Sequence, residues 1–289
     1  MSSTSTIEWT ESTWNPVTGC TKVSPGCDHC YAERITERFH GIGSFATVQL
    51  HPDRLDLPLK WRRPRRVFVN SMSDMFHADV PREFIGEVFD RMASAPRHVF
   101  QVLTKRAERM ERVVRWLSED QWNHDASGEN VWLGVSVESP DYYARIRHLQ
   151  RTPAAVRFLS LEPLLAPLPD LPLDGIHWVI VGGESGPGAR AMHPDWVRAI
   201  RDQCTSAGVA FFFKQWGAWQ EYTGREVKRH IETIWQWPRG TKYGPTQIGG
   251  HIAHMNRVGK HASGRELDGR TWDEMPTALP VPTPLVGLA

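Results

Sequence analysis

The sequence predicts an α/β fold: a partial or full (β/α) barrel of parallel strands with an irregular C-terminal extension. Three observations carry this. From residue 67 onward, short runs rich in Val, Phe and Ile alternate with stretches of helical spacing, the pattern of repeated strand–helix units. The runs are apolar on both faces, as strands buried beneath crossover helices are. Each run is followed at once by polar residues, and near residue 217 the alternation stops.

In chain order, a first short strand is expected over residues 7–9, then a cysteine-rich loop and a helix over 30–39. Six further strands are expected at 67–70, 99–103, 131–135, 156–159, 178–181 and 210–213. Between them, Phe84, Ile85, Val88, Phe89 and Met92 form one apolar helical stripe, and Ala107, Met110, Val113, Val114 and Leu117 form another. Right-handed crossovers then turn every strand's carboxyl end the same way. Beyond residue 217, Gly, Pro, Trp, His and charged residues dominate. A hairpin pairing 256–260 with 265–267 is expected there, lying over the barrel, before a loose Pro-bearing tail. The division expected is a barrel over 1–217 and an extension packed on it over 218–289.

With 34 Lys+Arg against 33 Asp+Glu among 289 residues, the chain is not a strongly basic nucleic-acid coat, although a local groove is compatible with that balance. No apolar run reaches the ~20 residues of a membrane span, and the polar start Met1-Ser-Ser-Thr-Ser-Thr lacks a signal peptide's apolar core. A soluble, cytoplasmic protein with no membrane partner is expected. Arg62, Arg63, Arg65 and Arg66 flank Trp61 and Pro64, a run that suits either phosphate tracking or a solvated loop.

A common strand direction gathers the residues after each strand on one rim, where active sites of such barrels lie. They are Ser71, Ser73 and Asp74; Thr104, Lys105 and Arg106; Ser136 and Glu138; Ser160 and Glu162; Gly182, Gly183 and Glu184; Lys214 and Gln215. Singly, each reads equally as loop punctuation. Their recurrence after successive strands points to a shared site.

Three of the four cysteines, Cys20, Cys27 and Cys30, fall within eleven residues. In a reducing compartment such spacing indicates metal or iron–sulfur ligation before a disulfide. Pro25-Gly26 can turn the chain so that all three thiols meet. A closed zinc site takes four ligands, whereas a [4Fe–4S] cluster on three thiolates leaves one iron open. His29 or His40 could complete a zinc site, so both readings stand, and the loop's place on the active rim favours the cluster. Cys204 shares a helical face with Val197 and Ile200 and reads as a buried, inert thiol.

Three cysteines after the first strand of a barrel, with Cys30-Tyr-Ala opening a helix, resemble the radical S-adenosylmethionine (SAM) enzymes. Six residues here separate the first two cysteines where most of that superfamily has three, and His29 stands where an aromatic is usual. Over nearly the whole chain the motifs resemble a phage-associated three-cysteine-motif family of unknown function. They are Trp14-Asn-Pro-Val-Thr-Gly-Cys20, Val69-Asn-Ser-Met-Ser-Asp74, Leu103-Thr-Lys-Arg106, Leu133-Gly-Val-Ser136-Val-Glu138, Ser160-Leu-Glu162-Pro, Gly182-Gly-Glu-Ser-Gly186 and Phe213-Lys-Gln-Trp-Gly217. More distantly, Ser73-Asp74 and Thr104-Lys105 are similar to the strand ends of the DNA-lesion lyase branch.

These resemblances imply two cofactors, a [4Fe–4S] cluster on Cys20, Cys27 and Cys30 and SAM. By the lyase analogy, Asp74 would accept from the SAM ammonium group, Lys105 would pair with its carboxylate, and Ser136 would assist the carboxylate or ribose. Ser71, Ser73, Thr104, Gly182, Gly183 and Glu184 complete the expected cofactor-binding set; Gly182-Gly-Glu184 reads equally as a tight loop. Glu138, Glu162 and Lys214 are candidates for proton movement, and Arg106, Arg190, Gln215 and Trp216 for gripping substrate. The implied activity is reductive cleavage of SAM, with hydrogen abstraction from a nucleic-acid base or nucleotide, as in phage DNA hypermodification or repair. Implied partners are an electron donor such as a flavodoxin or ferredoxin, the nucleic-acid substrate and a family partner protein encoded nearby. The alternative from another class is a non-catalytic, zinc-stabilised module that binds nucleic acid or a protein.

Overall fold

Strands apolar on both sides belong in the middle of a molecule, and here they form its centre. All six residues of β6 (Val131–Ser136) and all five of β8 (Trp178–Gly182) are buried. The computed structural model describes residues 5–118, 128–222, 231–234 and 253–276. Its main sheet is wholly parallel, in the order β1 (Ser12–Trp14), β4 (Arg66–Val69), β5 (Val99–Thr104), β6, β7 (Val156–Leu161), β8 and β9 (Ala210–Gln215). Strand order follows chain order, which places every crossover on the same side. The helices α2 (Arg82–Ala93), α3 (Ala107–Trp116), α4 (Tyr143–Arg151) and α5 (Pro194–Ala207) pack their apolar stripes into one outer core.

The other face curls on itself. Inward positions recur every second residue, and at one level they supply Phe68, Trp132, Phe158, Trp178 and Phe212. Trp9 packs against Phe68 on β4 at 4.8 Å and Trp178 on β8 at 6.2 Å. Those strands are four places apart, about 19 Å in a flat sheet. One indole reaches both only because the sheet is bent into a half-barrel. Gly134 makes this packing possible, since a Cβ there would lie 2.4 Å from the Phe158 ring.

Five of the six expected strands from residue 67 on start where the sequence places them, β4 begins one residue earlier, and the later ones run a residue or two further. The first strand is displaced. Residues 7–9 form a turn, with the Thr10 amide donating to Ile7 O, and β1 lies at Ser12–Trp14. Trp9 is used as the barrel's interior plug, so its apolar character signals burial without a strand. The expected 256–260/265–267 hairpin is also corrected. β12 (Ala253–Arg257) pairs antiparallel with β10 (Trp219–Glu221) and β11 (Ile231–Ile234), while Lys260–Ser263 forms the short helix α6. Residues 272–274 run beside β9, where the Phe213 amide donates to Trp272 O and Trp178 Nε1 donates to Glu274 O. This covers the open sheet edge. The expected tail falls outside the described residues. Among the described residues, no helix is long and apolar enough to cross a membrane.

Candidate functional site

The strand ends surround a cavity of about 580 Å³ that reaches down to the aromatic layer. Cys20, Cys27 and Cys30 all line it, together with Ser71, Ser73, Asp74, Thr104, Lys105, Arg106, Ser136, Ser160, Glu162, Gly183, Glu184, Lys214 and Gln215. The cysteine loop leaves β1, passes through the two-residue strand β2 (Val17–Thr18), and ends at Cys30, the N-cap of α1 (Tyr31–His40). β2 is pinned by antiparallel pairing with β3 (Gln49–Leu50). The loop thus sits over the carboxyl ends of the strands, as its position in the sequence predicts.

Three rim carboxylates hold this loop in place. Asp74 accepts from Thr104 Oγ1 (2.7 Å), the amides of Phe76 and Lys105, and Arg106 Nη1 (3.0 Å). Arg106 in turn donates to Cys20 Sγ at 3.4 Å and to Thr21 O and Oγ1 at 3.0 Å. His77 also meets Thr21 Oγ1, at 2.8 Å. Burial first, and then the neighbouring Arg106 charge, holds His77 below the ordinary histidine range, so it is neutral near pH 7.

Glu138 is fully buried and grips the middle of the loop. It accepts from Ser24 Oγ (2.7 Å) and Arg145 Nη1 (2.8 Å), with Lys105 Nζ 3.5 Å away. The loop presses so closely on it that a Cβ at Gly26 would lie 2.3 Å from Glu138 Oε1. Glu184 holds the last part, accepting from Arg190 Nη2 (2.7 Å) and Nε (2.9 Å), with His29 Nδ1 at 3.0 Å. Arg190 also donates to Pro25 O at 2.8 Å. Burial opposes ionisation of Glu184, but the Arg190 and His29 hydrogen bonds outweigh it and hold the carboxyl below its ordinary value.

These contacts revise several expected roles. Asp74, expected to accept from a SAM ammonium group, accepts here from four donors of the chain itself. Arg106 and Arg190 are committed to the loop, so neither is a free substrate grip. Glu138, expected to move protons, lies behind the cavity wall, as do Gly182 and Arg190. Trp216 is buried against Phe213 in the outer core, donates to Glu266 O and does not line the cavity. Ser73 donates to Val17 O and Ser71 to Asn15 Oδ1, both within the loop's support. The Arg62–Arg66 run lies at the amino end of β4, opposite the cysteine rim.

The far wall is differently equipped. Glu162 accepts from Lys214 Nζ at 2.8 and 3.0 Å and from Gln215 Nε2 at 3.3 Å. Ser136 and Ser160 stand side by side in register, both buried, and their hydroxyls have no hydrogen-bond partner among the described residues. Trp9, Phe68 and Ile7 form the floor. Trp9 Nε1 and Asn70 Nδ2 are buried there without a partner among the described residues.

A zinc ion at about 2.3 Å from each thiolate would draw the sulfurs to within ~4 Å of one another. Among the described residues, no group of three or more His, Cys, Asp or Glu side chains is already arranged to hold a metal ion, so the thiols would have to close on zinc or on a cluster alike. His40 is exposed at the far end of α1, ten residues and about 15 Å beyond Cys30. His29 is bound to Glu184. Ser24, Thr21, His77 and Arg145 escaped the sequence reading. Thr21 and Ser24 lie inside the cysteine loop and His77 three residues past Asp74, while Arg145 stands seven residues past Glu138 with no motif around it.

Fold and site define an open parallel (β/α) half-barrel carrying a three-cysteine loop over its strand ends. Residues 4–276 match the model of a family described as protein of unknown function (DUF5131), and the chain belongs to that family. Among solved structures, a spore photoproduct lyase complexed with dinucleoside spore photoproduct aligns over 88% of this chain and 70% of its own, with 12% identity and a TM-score of 0.45. A doubly substituted mutant of that lyase, with bound AdoMet and dinucleoside spore photoproduct, aligns over 86% and 68%, with 12% identity and a TM-score of 0.44. No curated protein matches the sequence.

Proposed function

We propose that this chain is a radical SAM enzyme in which Cys20, Cys27 and Cys30 hold a [4Fe–4S] cluster, and that its substrate is a nucleic-acid base or nucleotide. One observation carries the reading: three thiols, on a loop clamped over the strand ends, share one cavity with a polar far wall. The motif resemblance supports the same cofactors. A cluster bound there would supply the electron that cleaves the SAM sulfonium.

The chain's own residues then divide the remaining work. Asp74, Glu138 and Glu184 fix the loop through Arg106, Ser24 and Arg190, so ligand positions are set before any cofactor arrives. Ser136, Lys105 and the backbone at Gly183 are the cavity-facing groups left to orient SAM. The Glu162–Lys214 pair offers a proton acceptor beside a proton donor on the opposite wall, suited to the polar edge of a base. Trp9 and Phe68 close the floor and keep water from a reactive site. The wall supplies an aromatic face and hydroxyl groups, the equipment for a planar heterocycle.

The test is SAM cleavage by anaerobically reconstituted protein, with 5′-deoxyadenosine followed by chromatography. Wild type is expected to form it and Cys27→Ala to lose it while retaining its unfolding midpoint. A colourless protein with one zinc and no sulfide would instead establish the binding-module reading.

A further inference from the structure

Exposed apolar side chains are concentrated on one side of the molecule. Among the described residues seven large hydrophobics are exposed, and five of them, Val23, Tyr31, Ile35, Phe39 and Ile42, lie on the cysteine loop or on and just beyond α1. Tyr31, Ile35 and Phe39 recur every fourth residue and share one helix face. Phe39 is 73% exposed and Ile42 97%. A grouped patch of this kind marks a contact surface, whereas single exposed apolar residues do not. It also adjoins the cavity, because α1 begins immediately after Cys30, and Val23, Tyr31 and Ile35 line the mouth.

The charges around the patch are uneven. Glu33 is paired with Lys22 at 2.9 Å, Glu37 accepts from the Gly43 amide at 2.7 Å, and Asp28 faces Arg190 at 3.4 Å. Arg34 and Arg38 have no carboxylate partner among the described residues, and Arg38 lies 5.9 Å from the Phe39 ring centroid. An apolar centre edged by unpaired arginines complements a protein surface whose apolar centre is ringed by carboxylates.

We propose that this face of α1 is the docking surface for an acidic redox protein that delivers single electrons beside Cys30. The inference rests on the cluster reading above. The donor loses one electron and the bound cluster gains it; no bond is made or broken in that step.

The experiment compares two reductants on the reconstituted enzyme, reduced flavodoxin, which must dock, and dithionite, which need not. Phe39 and Ile42 do not line the cavity. Phe39→Glu and Ile42→Glu should each slow flavodoxin-driven 5′-deoxyadenosine formation by about tenfold or more and leave the dithionite-driven rate unchanged. Arg38→Glu should raise the flavodoxin KM, and added salt should do the same to wild type. Equal losses with both reductants, or no loss with flavodoxin, would overturn the proposal. So would Phe39→Glu weakening single-stranded oligonucleotide binding while sparing flavodoxin. Calorimetric titration of flavodoxin into the same variants tests docking without turnover. A wild type inert with dithionite but binding flavodoxin through Phe39 would remove the cluster reading and keep the surface.

Discussion

Glu138 shows how a buried charge can serve position. Its carboxylate meets Arg145 on one side and Ser24 on the other, and the loop backbone at Gly26 lies against it. Removing one member of a buried pair leaves the other charge uncompensated, at a cost of about 3–5 kcal/mol. Glu138→Ala is therefore expected to lower unfolding free energy by that order in urea titration and to reduce iron retention after reconstitution. A change below about 1 kcal/mol would show that the pair is not clamped as described. Cys204 is buried, whereas the three loop cysteines are partly exposed. Burial first, and the Glu274 charge second, push its thiol up to about 12, so it is neutral at pH 8. Iodoacetamide at pH 8 should label the loop cysteines of the folded apoprotein and reach Cys204 only after unfolding, as read by peptide mass spectrometry. This inertness was legible from the helical spacing of Cys204 with Val197 and Ile200. The roles of Asp74, Glu138 and Glu184 were not, because sequence places a carboxylate on a rim without revealing which donors surround it.

Between elements, the outer helices are tied by Glu111 of α3. It accepts from Arg151 at 2.9 Å and sits 2.7 Å from His148, both on α4. The Arg151 hydrogen bonds, followed by the opposing effect of burial and the His148 contact, leave the Glu111 carboxyl lowered to about 2. A depressed folded-state value stabilises above the unfolded value of about 4.5, and that stabilisation is lost as pH falls toward 2. Arg151 stands in solvent, which screens the clasp and keeps its contribution small. Glu111→Gln should be less stable than wild type at pH 7 in denaturant titration, and the difference should close between pH 4.5 and 2. A constant difference across that range would remove the charge from the explanation. The helices themselves were legible, since Phe84 to Met92 and Ala107 to Val114 face the sheet as their period requires. β2 and β3 were not, for strands of two residues carry no periodicity.

Across the whole molecule, the half-barrel follows from strands apolar on both faces and linked on one side. Its curl follows from small and large inward residues, Gly134 beneath Phe158 and Trp9 between β4 and β8. Strand order and rim were readable because both repeat along the chain. The displaced first strand and the rebuilt C-terminal pairing, β10-β12-β11, depend on contacts between distant segments that no local pattern encodes. The account turns on what the clamped thiols bind. The most direct measurement is iron, sulfide and zinc analysis with electron paramagnetic resonance on anaerobically purified wild type. The account predicts about four irons and four sulfides per chain and, once reduced, a cluster signal perturbed by added SAM; stoichiometric zinc with neither iron nor sulfide would contradict it.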